Sequence, residues 1–225
     1  MGSIEIPYWQ VNVPPEQCTV TCPDFLRGIS ARDVEIISTP SAACHTLSWD
    51  EARTIVAAGR LDQFQRSPTQ LRSYLAYAWG LRQQYGSPVS YLLQERLRWR
   101  ADEPAQGAAP FVCPSDVKVM CNDWPYGIDD RIVHLVVWTK FALEENPVTD
   151  KLADETRTAI DRYVNKTFGE LPKDSYIWFK NWRSLKSILQ IEHFHVMLFD
   201  PPQEFVDRVT DGDVPQFRRA AKDGR

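Results

Sequence analysis

VKVMCNDWPYGIDDRIVHLVVWTK, residues 117–140, decides the fold. Its two ends, VKVMC and IVHLVVWTK, are rich in β-branched residues and read as strands. NDWPYGIDD between them is made of residues that turns use. Downstream, Thr149 or Asp150 caps a helix with an apolar stripe of Leu152, Ile160, Tyr163, Val164 and Phe168, closed by Gly169. SYIWF (175–179) and FHVMLF (194–199) are strand-like again. Strand, strand, helix, strand, strand predicts an α+β fold with a mostly antiparallel sheet.

Upstream the pattern is helical. Ser48-Trp49-Asp50-Glu51 is a capping box that opens a helix ending near Gly59. Ser67-Pro68 starts a second helix, which follows Leu71, Tyr74, Leu75 and Ala78 to Tyr85 and stops at Gly86. Ser87-Pro88 repeats the device for a third helix reaching about Trp99. ADEPAQGAAP (101–110) is a small-residue connector between the helical and the mixed half. Residues 1–45 show little periodicity and read as an irregular arm with one strand at Asp33–Ile37. One catalytic domain is expected over residues 46–210, helical over 46–100 and sheet-forming over 111–200, followed by a flexible tail at 211–225.

Composition narrows the function classes. The 225 residues are 43% hydrophobic with 8 tryptophans, enough for one substantial core. A net charge of −4 excludes the basic field that indiscriminate nucleic-acid binding needs, though a local basic face survives such averaging. No run reaches membrane-span length. The start MGSIEIPYWQ lacks a secretory pattern, which predicts a cytoplasmic protein. Five cysteines without zinc-site spacing read as reduced thiols, and neither metal nor cofactor is expected. Walker, GxGxxG, G-x-S-x-G and HExxH patterns are absent.

Three stretches carry candidate chemistry. In EHFHVMLF, His193 and His195 stand two apart on a strand and share one face. Such a pair suits general-base and orienting roles, nucleophilic attack, or metal ligation if His134, Glu192 or Asp123 supplies a third ligand; acid/base work ranks first. In the loop, Asn122, Asp123, Trp124, Tyr126 and Asp129 combine carboxylates with aromatic rings, a receptor for a guanidinium. In WFKNWRSLKS, Trp178, Lys180, Trp182, Arg183 and Lys186 interleave cations with aromatics, which suits phosphates and unstacked bases. Arg96, Arg98 and Arg100 extend that basic surface only in part, because one helical face cannot hold all of them. Ser184, Ser187 and Cys121 are candidate nucleophiles without a recognisable triad.

RSPTQLRSYLAYAWGLRQQYGSPVSYLLQERLRW, VMCNDWPYGIDDRIVHLVVWTKF and WFKNWRSLKSILQIEHFHVML resemble the fungal N-acetylglucosamine-induced-protein family over residues 45–200, in particular its arginine-containing cyclodipeptide synthases. The resemblance implies a secondary-metabolism enzyme that joins arginine, from arginyl-tRNA, to a second amino acid from another aminoacyl-tRNA as a diketopiperazine. Under that reading His195 is the base and His193 orients it, with Asn122 and Ser187 in the catalytic set. Asp123 and Asp129 receive the guanidinium, flanked by Trp124 and Tyr126. Lys180, Arg183 and Lys186 meet phosphates, and Trp178 or Trp182 stacks a terminal base. Ser187 or Cys121 would park an aminoacyl group if one is parked. The C-terminal half also resembles histidine-triad nucleotide hydrolases and transferases, whose pattern is H-φ-H-φ-H; here Met197 stands in the third position. A non-catalytic sugar-response protein is the third class.

Overall fold

The computed structural model describes residues 6–146 and 151–222. Four strands form one antiparallel sheet in the order β1-β2-β4-β3: β1 (Val117–Cys121), β2 (Ile132–Thr139), β3 (Tyr176–Phe179) and β4 (Glu192–Phe199). β2 and β4 lie at the centre, and apart from the two end residues of β4 and Val133 their side chains are buried on both faces. That explains why they read as continuous apolar runs and not as alternating strands. Register fixes the site: Val136 pairs with His195, Trp138 with His193, and His134 with Met197.

One face packs against α5 (Asp154–Phe168), whose Ile160, Val164 and Phe168 meet Leu135, Val137, Phe194, Val196 and Leu198. The opposite face is covered by the helical half. Trp49, Ala52 and Ile55 of α2 (Trp49–Ala57) pack with Ile132, Phe179 and Met197. Leu92 and Leu97, at the end of the helix begun by α4 (Pro88–Tyr91), pack with Met120, Val136 and Trp138. The capping box predicted at Ser48/Glu51 forms, and Ser67, predicted as the N-cap of α3 (Pro68–Tyr85), is joined by Gln70 in a second box. Gly86 ends α3 at φ 78°, a conformation that costs glycine least. The fold is α+β, with helices segregated from an antiparallel sheet. Among the described residues no helix is long and apolar enough to cross a membrane.

Four local expectations are corrected. Residues 33–37 lie in a helix, α1 (Ala31–Ser38), because Ser30 Oγ caps the Asp33 amide at 3.1 Å and Ile37 is buried with Leu26 and Leu71. Helical spacing and a cap outweigh β-branched content there. The third helix widens to π geometry over Leu92–Leu97 and stops at Arg98, which takes the left-handed conformation, one residue short of Trp99. A cap at Thr149 or Asp150 lies outside the described residues; α5 follows Ala153, and Leu152 bridges to Glu145 instead of joining the helical stripe. The start of the 211–225 segment is tied down. α6 (Gln203–Thr210) leads into it, Asp213 accepts from the Cys121 amide at 3.0 Å, and the first residue of α7 (Gln216–Lys222) donates its amide to Asp123 Oδ1 at 3.0 Å.

Candidate functional site

Strand alternation brings three imidazoles to the sheet face opposite α5: His134 from β2, His193 and His195 from β4. The sequence pairs the last two; the third joins them because β2 and β4 are neighbours. His134 Nε2 lies 3.0 Å from His195 Nδ1, and Asn181 Nδ2 lies 3.1 Å from His195 Nε2. The same Asn181 amide donates to Tyr126 Oη at 3.0 Å. Asn122 places its amide nitrogen 3.3 Å from both nitrogens of His134 and accepts from the Trp124 amide at 3.0 Å. With Asn181 donating, the His195 proton sits on Nδ1 and is shared toward His134. Both nitrogens of His195 are therefore engaged, and Phe179 stacks on its ring at 5.1 Å.

His193 is arranged differently. Its Nδ1–H donates to the Ile191 carbonyl at 2.9 Å, and Trp138 lies against the ring at 4.5 Å. A carbonyl only accepts, so the proton is on Nδ1 and Nε2 carries the lone pair. Among the described residues Nε2 has no hydrogen-bond partner. Burial holds all three imidazoles below the usual range: His134 at about 3, His193 at about 4, and His195 well below normal, with His134 and His193 adding to its shift. Each is neutral at pH 7.

A cleft of about 480 Å³ opens over this face between the sheet, α1, α3 and α4. His193, His195, Asn122, Asp123, Trp124, Tyr126 and Ser187 all line it, so the loop and the last strand meet as the sequence suggested. Tyr74, Tyr77 and Tyr91 add aromatic wall, and Arg32, Arg66 and Arg82 add positive charge. Among the described residues no three side chains of metal-ligating type converge on one point.

The other assigned residues are placed elsewhere. The loop does receive guanidinium groups, but they are the protein's own. Asp123 takes the buried Arg96 at 2.7 Å, and Asp129 takes Arg131 at 2.7 Å. Neither carboxylate is left open for a substrate arginine. Lys180 is buried and the Lys186 side chain is largely enclosed: Lys180 pairs with Glu145 and Glu192, and Lys186 with Glu192 at 3.1 Å, so neither offers its ammonium to a phosphate. Trp178 is on the α5 face, its indole N–H donating to Asp161 at 2.8 Å, and it cannot stack a base in the cleft. Trp182 and Arg183 remain exposed, on the segment whose Ser184, Leu185 and Ser187 reach the cleft. Cys121 is a poor nucleophile, since burial, with Asp213 adding, pushes its thiol up to about 12. Arg96 points inward while Arg100 pairs with Asp102 at the surface, so 96–100 present no joint basic face.

Arg96 also donates to Asp213 at 2.6 Å, joining the helical half, the loop and the C-terminal segment. Its planar fork meets two carboxylates, which a lysine cannot copy. Arg96→Lys is expected to lower the urea-unfolding free energy by about 2 kcal/mol. A variant as stable as the parent would show that this junction contributes nothing to holding the halves together.

An α+β sheet with a histidine-lined cleft under a helical cover defines the class. The chain belongs to the family described as Protein of unknown function (DUF3605), whose model matches residues 48–199. It is 28% identical over 185 residues to N-acetylglucosamine-induced protein 1 of Candida albicans, covering 73% of each chain. It is 24% identical over 177 residues to uncharacterized protein YPL067C of Saccharomyces cerevisiae, covering 76% of this chain and 88% of that one. The crystal structure of HTC1 superimposes with a TM-score of 0.58 at 27% identity, over 75% of this chain and 98% of its own.

Proposed function

We propose that this protein is an aminoacyl-tRNA-dependent synthase that joins arginine to a second amino acid as a cyclic dipeptide. One observation carries the chemistry: His193 is a neutral imidazole locked by Ile191 with its free lone pair at a cleft wall. Aminoacyl esters are already activated, so the reaction needs positioning, a proton acceptor and stabilisation of charge. The amine of one aminoacyl group attacks the ester carbonyl of the other. His193 Nε2 takes the amine proton and passes it to the departing ribose oxygen. A second attack, by the remaining amine on the remaining ester, closes the ring by the same exchange. The base is thus His193, while His195, bonded through both nitrogens, holds the wall with His134 and Asn181.

Asp33 is the lining carboxylate with no ion-pair partner among the described residues, and it takes over the guanidinium role from Asp123 and Asp129. The arginine assignment otherwise rests on the resemblance of the loop and last-strand sequences. Expression in bacteria followed by mass spectrometry of the medium tests the proposal. New arginine-containing diketopiperazines are expected, formed in extract only while RNA is intact. Their absence from cells holding folded protein would remove the synthase reading.

A nucleotide hydrolase or transferase is the second reading, favoured by one feature. His134 pairs with Met197, so a third imidazole stands beside the strand position where the histidine-triad pattern has its own. Phosphate or nucleotide release from a nucleotide conjugate, with a phosphorylated histidine trapped, would favour it.

A further inference from the structure

We infer that the cleft contains a phosphate subsite built on Arg66, which grips a nucleotide phosphate beside the histidines. Arg66 is half-buried, and its guanidinium lies 4.2 Å above the Tyr74 ring. Its Nε donates to the Trp124 carbonyl at 3.0 Å, which fixes the plane of the fork. Neither terminal nitrogen has a hydrogen-bond or carboxylate partner among the described residues. A guanidinium stacked, oriented and left with two donors free is prepared for a bidentate anion.

The surroundings favour an anion as well. Arg32 and Arg82 line the same cleft and make no salt bridge among the described residues. Of the lining carboxylates, Asp123 is already neutralised by Arg96, which leaves Asp33. A positive cleft in a chain of net charge −4 is a local field and not a compositional one. Among the described residues, the two buried side-chain polar atoms without a partner, Trp124 Nε1 and Asn181 Oδ1, both belong to residues that line this cleft. Tyr77 and Tyr91 line the same cleft, and aromatic rings suit the stacking of a base. By sequence, phosphate contact falls to Lys180, Arg183 and Lys186; the first and last are held in ion pairs, whereas Arg66 lines the cleft with its fork oriented.

The phosphate chemistry stands by itself, whereas an RNA source for it rests on the proposed function. Titration of the full-length protein, followed by tryptophan fluorescence, tests both. The probes are the trinucleotide CCA, AMP and adenosine. Arg66→Gln is expected to weaken CCA and AMP tenfold or more, to leave adenosine unchanged, and to flatten the salt dependence of CCA binding by about one contact. Arg66→Lys, which keeps the charge over Tyr74, is expected to recover part of the loss and guards against a folding defect. Arg66-dependent binding of AMP without binding of CCA would support the subsite while sinking the RNA reading. Binding of CCA that ignores Arg66, or no binding by either phosphate-bearing probe, would overturn the subsite.

Discussion

Replacing His193 by glutamine is expected to lower the rate of dipeptide formation by about two to four orders of magnitude, the usual worth of a positioned proton acceptor. Glutamine retains an amide donor for the Ile191 carbonyl but has no lone pair able to accept a proton from an amine. The loss should appear in kcat, because the ring is charged with moving a proton and not with holding the substrate. The pH profile separates this role from a structural one. With His193 held at about 4, no limb near pH 6.5 is expected. The rate should instead rise through pH 7.7–8.0, where an α-amine loses its own proton. Substrate binding unchanged, kcat collapsed and no limb at 6.5 would together mark His193 as the base. An undiminished kcat in His193→Gln would remove it from the chemistry.

The same burial makes the fold sensitive to mild acid. In the unfolded chain each of the three imidazoles takes up a proton near pH 6.5. In the folded chain His134 does so at about 3, His193 at about 4 and His195 well below the ordinary value. Between those limits the unfolded state binds more protons, so stability falls as pH falls below 6.5 and is level above it. At about 1.4 kcal/mol per pH unit, His134 and His193 each subtract about 2 kcal/mol between pH 7 and pH 5, about 4 kcal/mol together, and His195 acts in the same direction. That is a large fraction of the stability of an ordinary domain. Urea unfolding at the two pH values measures it directly. His193→Gln should recover about 2 kcal/mol of the difference. Equal stability at pH 7 and pH 5 would mean that the imidazoles are solvated and charged in the folded protein.

Sequence carried the elements whose signals are local. Ser48 with Glu51 and Ser67 with Pro68 announce helix starts through residues within four positions of one another. The spacing of His193 and His195 announces a shared face because strand geometry has a period of two. What failed depends on partners far along the chain. Nothing near Asp123 marks Arg96 as its mate, 27 residues away and reached only when the helical half docks. Lys180 and Lys186 looked like a solvated basic face; whether a lysine is solvated or sunk beside Glu145 and Glu192 is decided by tertiary packing. Asp33–Ile37 reads as a strand in sequence because β-branched residues suit both a strand and the buried stripe of a short helix. Arg66 and Asn181 carried no signal at all, since each acquires meaning only from the cleft it lines.

The central claim is that the His193 cleft condenses two aminoacyl esters, and reconstitution from purified parts tests it most directly. The full-length protein is mixed with arginyl-tRNA and a pool of other charged tRNAs, without ATP, and products are read by mass spectrometry. The account predicts an arginine-containing diketopiperazine that is lost on ribonuclease treatment and lost in His193→Gln. Charged tRNAs that decay only at their buffer rate, with no dipeptide from folded protein, would contradict it.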